Sequence, residues 1–408
     1  MNNSAFIPGF RFKDGKLCIF REREVTAINS WPDLTAVTKL ASSKKWRAYW
    51  PTFRLIYPYR RFVPQPAKQK ESQEQLSFAL EMRAYTDHAA ERKRAFDSFR
   101  FSFPKDIASA VERFPSEQWS ILHLLKGDPQ AIGLVSTHPA IAFLLAHHFI
   151  GRFHGQGECP RFSHLKQRVL ARHFGFPATE AVVNILKKVP AESVSLRRFG
   201  QLRTALSNPE IQKTLSHLKV VNAGVIELAG DPELRRRSSP RLLREVSEHL
   251  AENYRADTAE SLHQILVMQQ TIRTGGRSIF QSRDQLLRVH DELALEFSRS
   301  APAMIKDCVF PRPPLPGVAN CIIPLRTPAE LVEEGNAQCN CVASYAKRVE
   351  GGDIFIYRVL FPERATLSIV RGENGRWERG ELKAARNAPV SPATDRAVES
   401  WLAQFFTL

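Results

Sequence analysis

The sequence lacks any uninterrupted run of the roughly 18 apolar residues that a membrane-spanning helix needs, so no membrane partner is expected. Its most apolar segment, Pro139 to Ile150, carries His147 and His148 and reads as a buried helix. The opening Met1-Asn2-Asn3-Ser4 lacks the basic-then-apolar layout of a signal peptide. Cysteine is sparse. The six residues Cys18, Cys159, Cys308, Cys321, Cys339 and Cys341 are scattered without disulfide-scaffold density, and a reducing cytoplasm is expected. There is no P-loop, dinucleotide fingerprint or zinc-protease helix motif, and the sequence leaves any cofactor unknown. Histidine is absent after His290, and no carboxylate pair stands out as a nuclease metal site, although Glu333-Glu334 and Asp353 lie near one another in sequence.

What the chain has in excess is positive charge. The net charge is +16, and all but about one unit of it lies in positions 1–299. A basic surface attracts phosphate backbones and gives salt-sensitive binding, so nucleic acid is the expected partner, with RNA and DNA not distinguished. Hydrophobic residues make up 43% and charged residues 25%, the balance of a globular chain rather than a disordered one. At 408 residues it is too long for one small core and points to two or three domains.

The first sixty-odd residues read as β-rich. Phe10 to Lys13 and Leu17 to Phe20 flank Asp14-Gly15, a strong hairpin pair. A second stretch from Trp46 to Tyr57 repeats that character before Pro58, Pro64 and Pro66 break it. Gln69 to about Phe99 reads as a long polar helix. From Pro104 to about Ser298 short helices follow one another, with Ser116 capping the helix that Gly127 ends. Others begin near Pro139, Pro160, Ala178, Pro240 and Thr258; the last presents Leu262, Ile265, Leu266, Met268 and Ile272 at helical spacing. No fixed repeat period supports a regular array.

Pro311-Arg312-Pro313-Pro314-Leu315-Pro316-Gly317 cannot continue a helix and marks the expected boundary. Beyond it, Cys321 to Leu325 reads as a short strand, and Thr327-Pro328-Ala329-Glu330 opens a helix with a capping box and proline in its first turn. Strands follow at Ile354–Leu360, Ala365–Arg371 and Arg376–Lys383, with Asn374-Gly375 as a hairpin turn, and Ser391-Pro392 opens a last helix. The expected fold class is α+β overall, mainly α. It comprises a β-rich N-terminal region (1–65), a helical bundle or short irregular α-solenoid body (66–310), a proline-rich linker (311–317) and a small C-terminal α+β module (318–408).

Lys44, Lys45, Trp46 and Arg47, with Arg60 and Arg61, interleave cations with aromatic rings, the mixture that single-strand binding uses; a half-buried hairpin with a basic outer face has the same pattern. Arg235, Arg236 and Arg237, and Arg273 with Arg277, form further basic clusters; each alone is also compatible with a solvated helix face. His154, Cys159 and His164 are a weak metal candidate: four residues intervene on each side of Cys159, compatible with tetrahedral zinc but matching no standard finger.

From about 321 to 402 the chain resembles the PcfJ-like family of conjugative plasmids and other mobile elements, and more weakly over the helical body. The resemblance rests on Glu330-Leu331-Val332-Glu333-Glu334-Gly335, on Cys341-Val342-Ala343-Ser344-Tyr345, and then on Gly352, Arg358, Thr366 and Asn387 in order. It departs from the family where a His-His pair precedes the cysteine; Cys339 and Asn340 stand there. Glu381 to Asn387 replaces a Gln-x-x-Gly-x-x-Asn pattern.

On a continuous helix Cys341 and Tyr345 share a face, and Gly335-Asn336 is a place where that helix can divide. Candidate catalytic residues are Glu334, Cys341, Ser344, Tyr345 and Asn387, with Arg358 reaching over. The alternative is that Cys341 and Tyr345 are core packing. A cysteine nucleophile needs a basic partner, which only the helical body can supply. Three functions remain open. The first is a nucleic-acid-binding PcfJ-like protein of a mobile element or phage-defence system, with a C-terminal recognition or catalytic module. The others are an enzyme acting through that module on RNA, DNA or another phosphate-containing substrate, and a protein–protein adaptor whose partner comes from the same element.

Overall fold

The computed structural model describes residues 9–21, 23–58, 90–153, 161, 162, 164–249, 252–272, 279–300, 308–318, 320–372, 377–402 and 405. They are mainly helical with two antiparallel sheets, an α+β fold dominated by helix. Contacts divide the chain into two compact units, Met1–Pro66 with Asp87–Asp231, and Ala67–Thr86 with Pro232–Leu408.

The first unit opens with a five-stranded meander: β1 (Gly9–Lys13), β2 (Lys16–Phe20), β3 (Glu24–Asn29), β4 (Ala36–Leu40) and β5 (Arg47–Ala48). Asp14 and Gly15 both take positive φ, 52° and 72°, as the two-residue turn closing Lys13 onto Lys16 requires. One face of the sheet carries Phe10, Leu17, Ile19 and Ile28, all buried. Phe10 and Phe12 meet Phe96 and Phe99 of α1 (residues 90–101).

The second expected β stretch forms only in part. Past Ala48 the chain is irregular, and its Leu55 and Ile56 are fully buried. Their amides donate to Oε1 of Gln118, each at 2.8 Å, and Gln118 Nε2 returns a bond to the Ile56 carbonyl. A buried side-chain amide thus replaces a neighbouring strand, which a pattern of apolar residues does not reveal. The long helix expected from Gln69 lies outside the described residues as far as 89.

Short helices follow: α2 (Lys105–Val111), α3 (Gln118–Gly127), α4 (Ile132–Thr137), α5 (Pro139–Leu145), α6 (Gln167–His173), α7 (Glu180–Lys187), α8 (Leu196–Leu206), α9 (Pro209–Ser216) and α10 (Ala223–Gly230). The cap of α3 is Glu117 in the left-handed region, not Ser116; Gly127 ends the helix as expected. Thr179, Ser195, Asn208 and Asn222 cap α7 to α10 through their side chains.

The second unit begins with α11 (Pro232–Arg237), α12 (Pro240–Glu248), α13 (Glu252–Thr271) and α14 (Arg283–Ser300). Thr258 lies inside α13 rather than at its start, while Leu262, Ile265 and Met268 are buried as their spacing predicts. The proline-rich segment belongs to this unit. Tyr357 Oη donates to the Leu315 carbonyl at 2.9 Å and accepts from its amide at 3.2 Å.

The second sheet runs β6 (Ile322–Pro324), β7 (Ile354–Val359), β8 (Ala365–Arg371) and β9 (Trp377–Lys383), in chain order and antiparallel. Alternation gives it two faces. Tyr357 and Leu367 join the core, where Trp401 of α17 (Pro392–Leu402) packs edge-on to Tyr357. Arg358 and Thr366, direct cross-strand partners, point the other way, toward α15 (Pro328–Gln338). The short α16 (Ala346–Glu350) precedes β7.

Candidate functional site

The open face of the N-terminal sheet follows from the strand register. Gly9, Arg11 and Lys13 on β1 share a face with Lys16, Cys18 and Phe20 on β2, Val25 and Ala27 on β3, and Val37 and Lys39 on β4. Arg11, Lys13, Lys16 and Phe20 are exposed, and no carboxylate stands at any of these positions. Burial raises the Cys18 thiol pKa while the charges of Lys16 and of its cross-strand partner Arg11 pull against it. Lys44, Lys45, Trp46 and Arg47 are exposed at the β4–β5 end. Trp46 keeps 45% of its surface in solvent with the Lys39 ammonium 4.9 Å from its ring centre. Arg60 and Arg61 lie outside the described residues.

In the C-terminal module, Thr327 and Glu330 form the expected capping box at the start of α15. The helix does not divide at Gly335-Asn336. It continues to Gln338 and stops at Cys339, whose φ of 50° turns the chain back. The returning Asn340 amide donates to the Gly335 carbonyl at 3.0 Å, and a Cβ on Gly335 would stand 3.3 Å from the Asn340 oxygen. Gly335 therefore serves close approach rather than helix breaking. Cys341 consequently caps, and Tyr345 closes, a short 3₁₀ turn, Val342–Tyr345, instead of the two sharing an α-helical face.

Glu334 is fully buried. Its carboxylate accepts from Arg358 Nε at 2.6 Å, Arg364 Nη2 at 2.9 Å and Thr366 Oγ1 at 3.1 Å. Thr366 accepts in turn from Asn340 Nδ2 at 3.2 Å, and Asn340 Oδ1 takes the Val342 amide. Two guanidinium groups thus compensate one buried carboxylate, with Arg364 42% exposed. The carboxylate is occupied as an anchor that ties α15 and the following turn to β7 and β8.

Cys341 and Tyr345 join a second network, centred on Gln264 of α13. The Cys341 thiol donates to Gln264 Oε1 at 3.1 Å, and His290 Nε2 of α14 reaches the same oxygen at 2.6 Å. Gln264 Nε2 donates to Tyr345 Oη. Tyr345 Oη donates to Glu260 Oε1 at 3.2 Å, where Arg348 also donates at 3.0 Å. Proton counting fixes the orientation: the Glu260 carboxylate only accepts, so Tyr345 donates there and accepts from the amide. Gln264 Oε1 then faces His290, whose Nε2 carries a proton. Burial pushes the Cys341 thiol far up from its ordinary value, aided by the charges of Glu381 and Glu260; Tyr345 is raised by the same causes. The thiol is held protonated, as a donor.

The structure therefore brings Cys341 and Tyr345 together on one buried amide, and sets Glu334 in a separate network. Ser344 and Asn387 are half-buried and enter neither; Asn387 has a left-handed φ of 57° in a turn packed against α15. Gln264, Glu260 and His290 carry no local signal beyond polar residues interrupting an apolar stripe. Arg236 pairs with Glu233 at 2.7 Å, and Arg235 and Arg237 are half-buried; Arg273 and Arg277 lie outside the described residues. His154 and Cys159 also lie outside them, and His164 is exposed. Among the described residues no group of three or more His, Cys, Asp or Glu side chains is placed to hold a metal ion, and no helix is long and apolar enough to cross a membrane. The chain matches no family model, no curated protein and no solved structure.

Proposed function

We propose that this chain is a nucleic-acid-binding protein, and that the open face of its N-terminal sheet is the contact surface. One observation carries the reading: Arg11, Lys13, Lys16 and Lys39 share a face with Phe20, Trp46 lies against Lys39 at its edge, and no carboxylate stands on that face among the described residues; Arg47, the cross-strand partner of Thr38, is on the opposite face. Cations there hold phosphates and the two rings stack on unpaired bases, which favours a single strand. The C-terminal motifs support placing the chain among PcfJ-like proteins of a mobile element or defence system, acting in the cytoplasm. The test is fluorescence anisotropy with labelled single-stranded RNA and DNA. Each ring–base stack is worth about 1–3 kcal/mol, so Trp46→Ala weakens binding by roughly 5- to 150-fold. Binding indifferent to both Trp46→Ala and Phe20→Ala sinks the proposal.

A second reading, an enzyme acting on a phosphate-containing substrate through the C-terminal module, is favoured by one observation. Glu334, Arg358 and Thr366, all positions of the family resemblance, meet in a single network beside the part-exposed Arg364. Incubating RNA and DNA with the chain and with Arg364→Ala tests it; intact substrate in both cases removes this reading.

A further inference from the structure

Within the first unit, the ends of α4, α7 and α9 enclose an open cleft of about 790 Å³. Its walls carry four basic side chains, Arg113, Lys187, Lys188 and Lys219. Three hydroxyls, Ser136, Thr137 and Ser216, and the Asn184 amide stand between them. No carboxylate among the described residues lines it. The floor is apolar, made by Pro139, Val189, Pro190 and Val220.

The cleft is built rather than incidental. Lys188 Nζ donates to the Ser216 carbonyl at 2.7 Å, and the Lys188 carbonyl accepts the Val221 amide at 3.0 Å. These bonds tie the end of α7 to the segment after α9 and fix the two walls. Asn184 and Lys187 are three apart on α7 and project along one side of it. At the rim, Arg113 has Glu192 as a partner at 3.7 Å. Lys187 and Lys219 are exposed and have no ion-pair or hydrogen-bond partner among the described residues. Lys187 and Lys219, converging without a counter-charge among the described residues, leave an electrostatic deficit that an anion fills.

A simple phosphate is too small for this space. The volume lies in the range of small-molecule sites, about 300–1,000 Å³, and the apolar floor suits a planar ring while the amide reads its edge. We propose that the cleft binds the phosphate ester of a nucleotide, its phosphates held by Lys187, Lys188 and Lys219 and its base resting against Pro139 and Pro190. The site is separate from the sheet face and stands whether or not that face binds a strand.

Two sources supply such an ester, a free nucleotide or the phosphorylated end of a strand. Calorimetric titration of the full chain with ATP, and with a trinucleotide carrying or lacking a 5′-phosphate, separates them. Expected is one ligand per chain, from ATP, from the 5′-phosphorylated trinucleotide or from both, weakened at least tenfold by combined Lys187→Glu and Lys219→Glu. The thermal midpoint of that variant stays near the parent value because both side chains are exposed. Trp46→Ala and Phe20→Ala leave ATP affinity unchanged, so failure at the sheet does not count as failure here. The proposal is overturned if neither phosphorylated probe saturates at one site, if the double variant binds as tightly as the parent, or if an oligoglutamate peptide competes as well as the phosphorylated probes.

Discussion

At the scale of the residue, His123 is the histidine whose acid–base chemistry burial displaces far enough to matter in mild acid. It lies 4.9 Å from the Trp50 ring and 5.2 Å from Trp119, and its Nε2 is buried without a hydrogen-bond partner among the described residues. Burial, with the Lys126 charge added, pulls its pKa from 6.5 down to about 4. The unfolded chain therefore takes up this proton at a higher pH than the folded one, and stability falls as pH drops from 6.5 toward 4. The loss reaches up to about 3 kcal/mol. His123→Phe keeps the packing and removes the proton. Urea midpoints at pH 7 and pH 4.5 are expected to differ less in the variant than in the parent; an equal loss in both assigns the acid sensitivity elsewhere. Tyr345 and Cys341 have the opposite sign. Both pKa values are raised, so their contribution is complete below the ordinary thiol value of 9.0 and is lost as pH climbs beyond it. Cys341→Ala should flatten the alkaline limb of the stability profile. Tyr345→Phe strands the Gln264 amide and should cost about 1–3 kcal/mol at pH 7 by denaturant titration. A Tyr345→Phe protein as stable as the parent would show that the buried network contributes nothing.

Among the elements, α15 carries two separable stabilising devices. Thr327→Ala removes a side-chain cap and should lower stability by about 1 kcal/mol. Glu334→Ala leaves two guanidinium groups facing an empty carboxylate site, one of them only 18% exposed. Breaking a buried pair from one side costs about 3–5 kcal/mol, so this variant should lose several times more than the cap variant. Equal losses would mean that water reaches the Arg358 site. These two devices also show what a sequence discloses. The cap is local: Thr327 and Glu330 are three apart, and the capping box, the strand at Ile354–Leu360 and the Asp14-Gly15 turn were all legible. Glu334 and Arg358 were expected at one site, but not as an ion pair, and the Thr366 contact was not legible, because these partners lie 24 and 32 residues from Glu334. The Gln264 centre is further still, 77 residues from Cys341 and 81 from Tyr345. Turns set by a non-glycine residue were also hidden. Cys339 supplies the left-handed end of α15 although Gly335 is the residue that attracts attention. Leu55 and Ile56 have strand character, yet what holds them is Gln118 on a later helix.

For the whole molecule, charge is the property with the longest reach. The +16 excess is concentrated before residue 300, and the open sheet face and the cationic cleft both draw on it. General attraction and a defined surface make different predictions about salt. A strand released from counterions by Z cations binds with a slope of about −0.7Z in log affinity against log salt. If Arg11, Lys13, Lys16, Lys39, Lys44 and Lys45 each meet a phosphate, the slope for a single strand is about −4. Lys44 and Lys45 are exposed and stand outside the core, so replacing both with alanine leaves the fold intact. That double variant should bind more weakly at low salt and shallow the slope by about 1.4, two contacts' worth. Alanine at Lys187 and Lys219, in the same assay, should leave the strand slope unchanged when the probe carries no terminal phosphate. The measurement is anisotropy of a labelled oligonucleotide across a salt series, with three proteins compared. A slope that responds equally to both pairs means the chain attracts nucleic acid through its total charge alone, and the sheet then has no special claim as the contact surface.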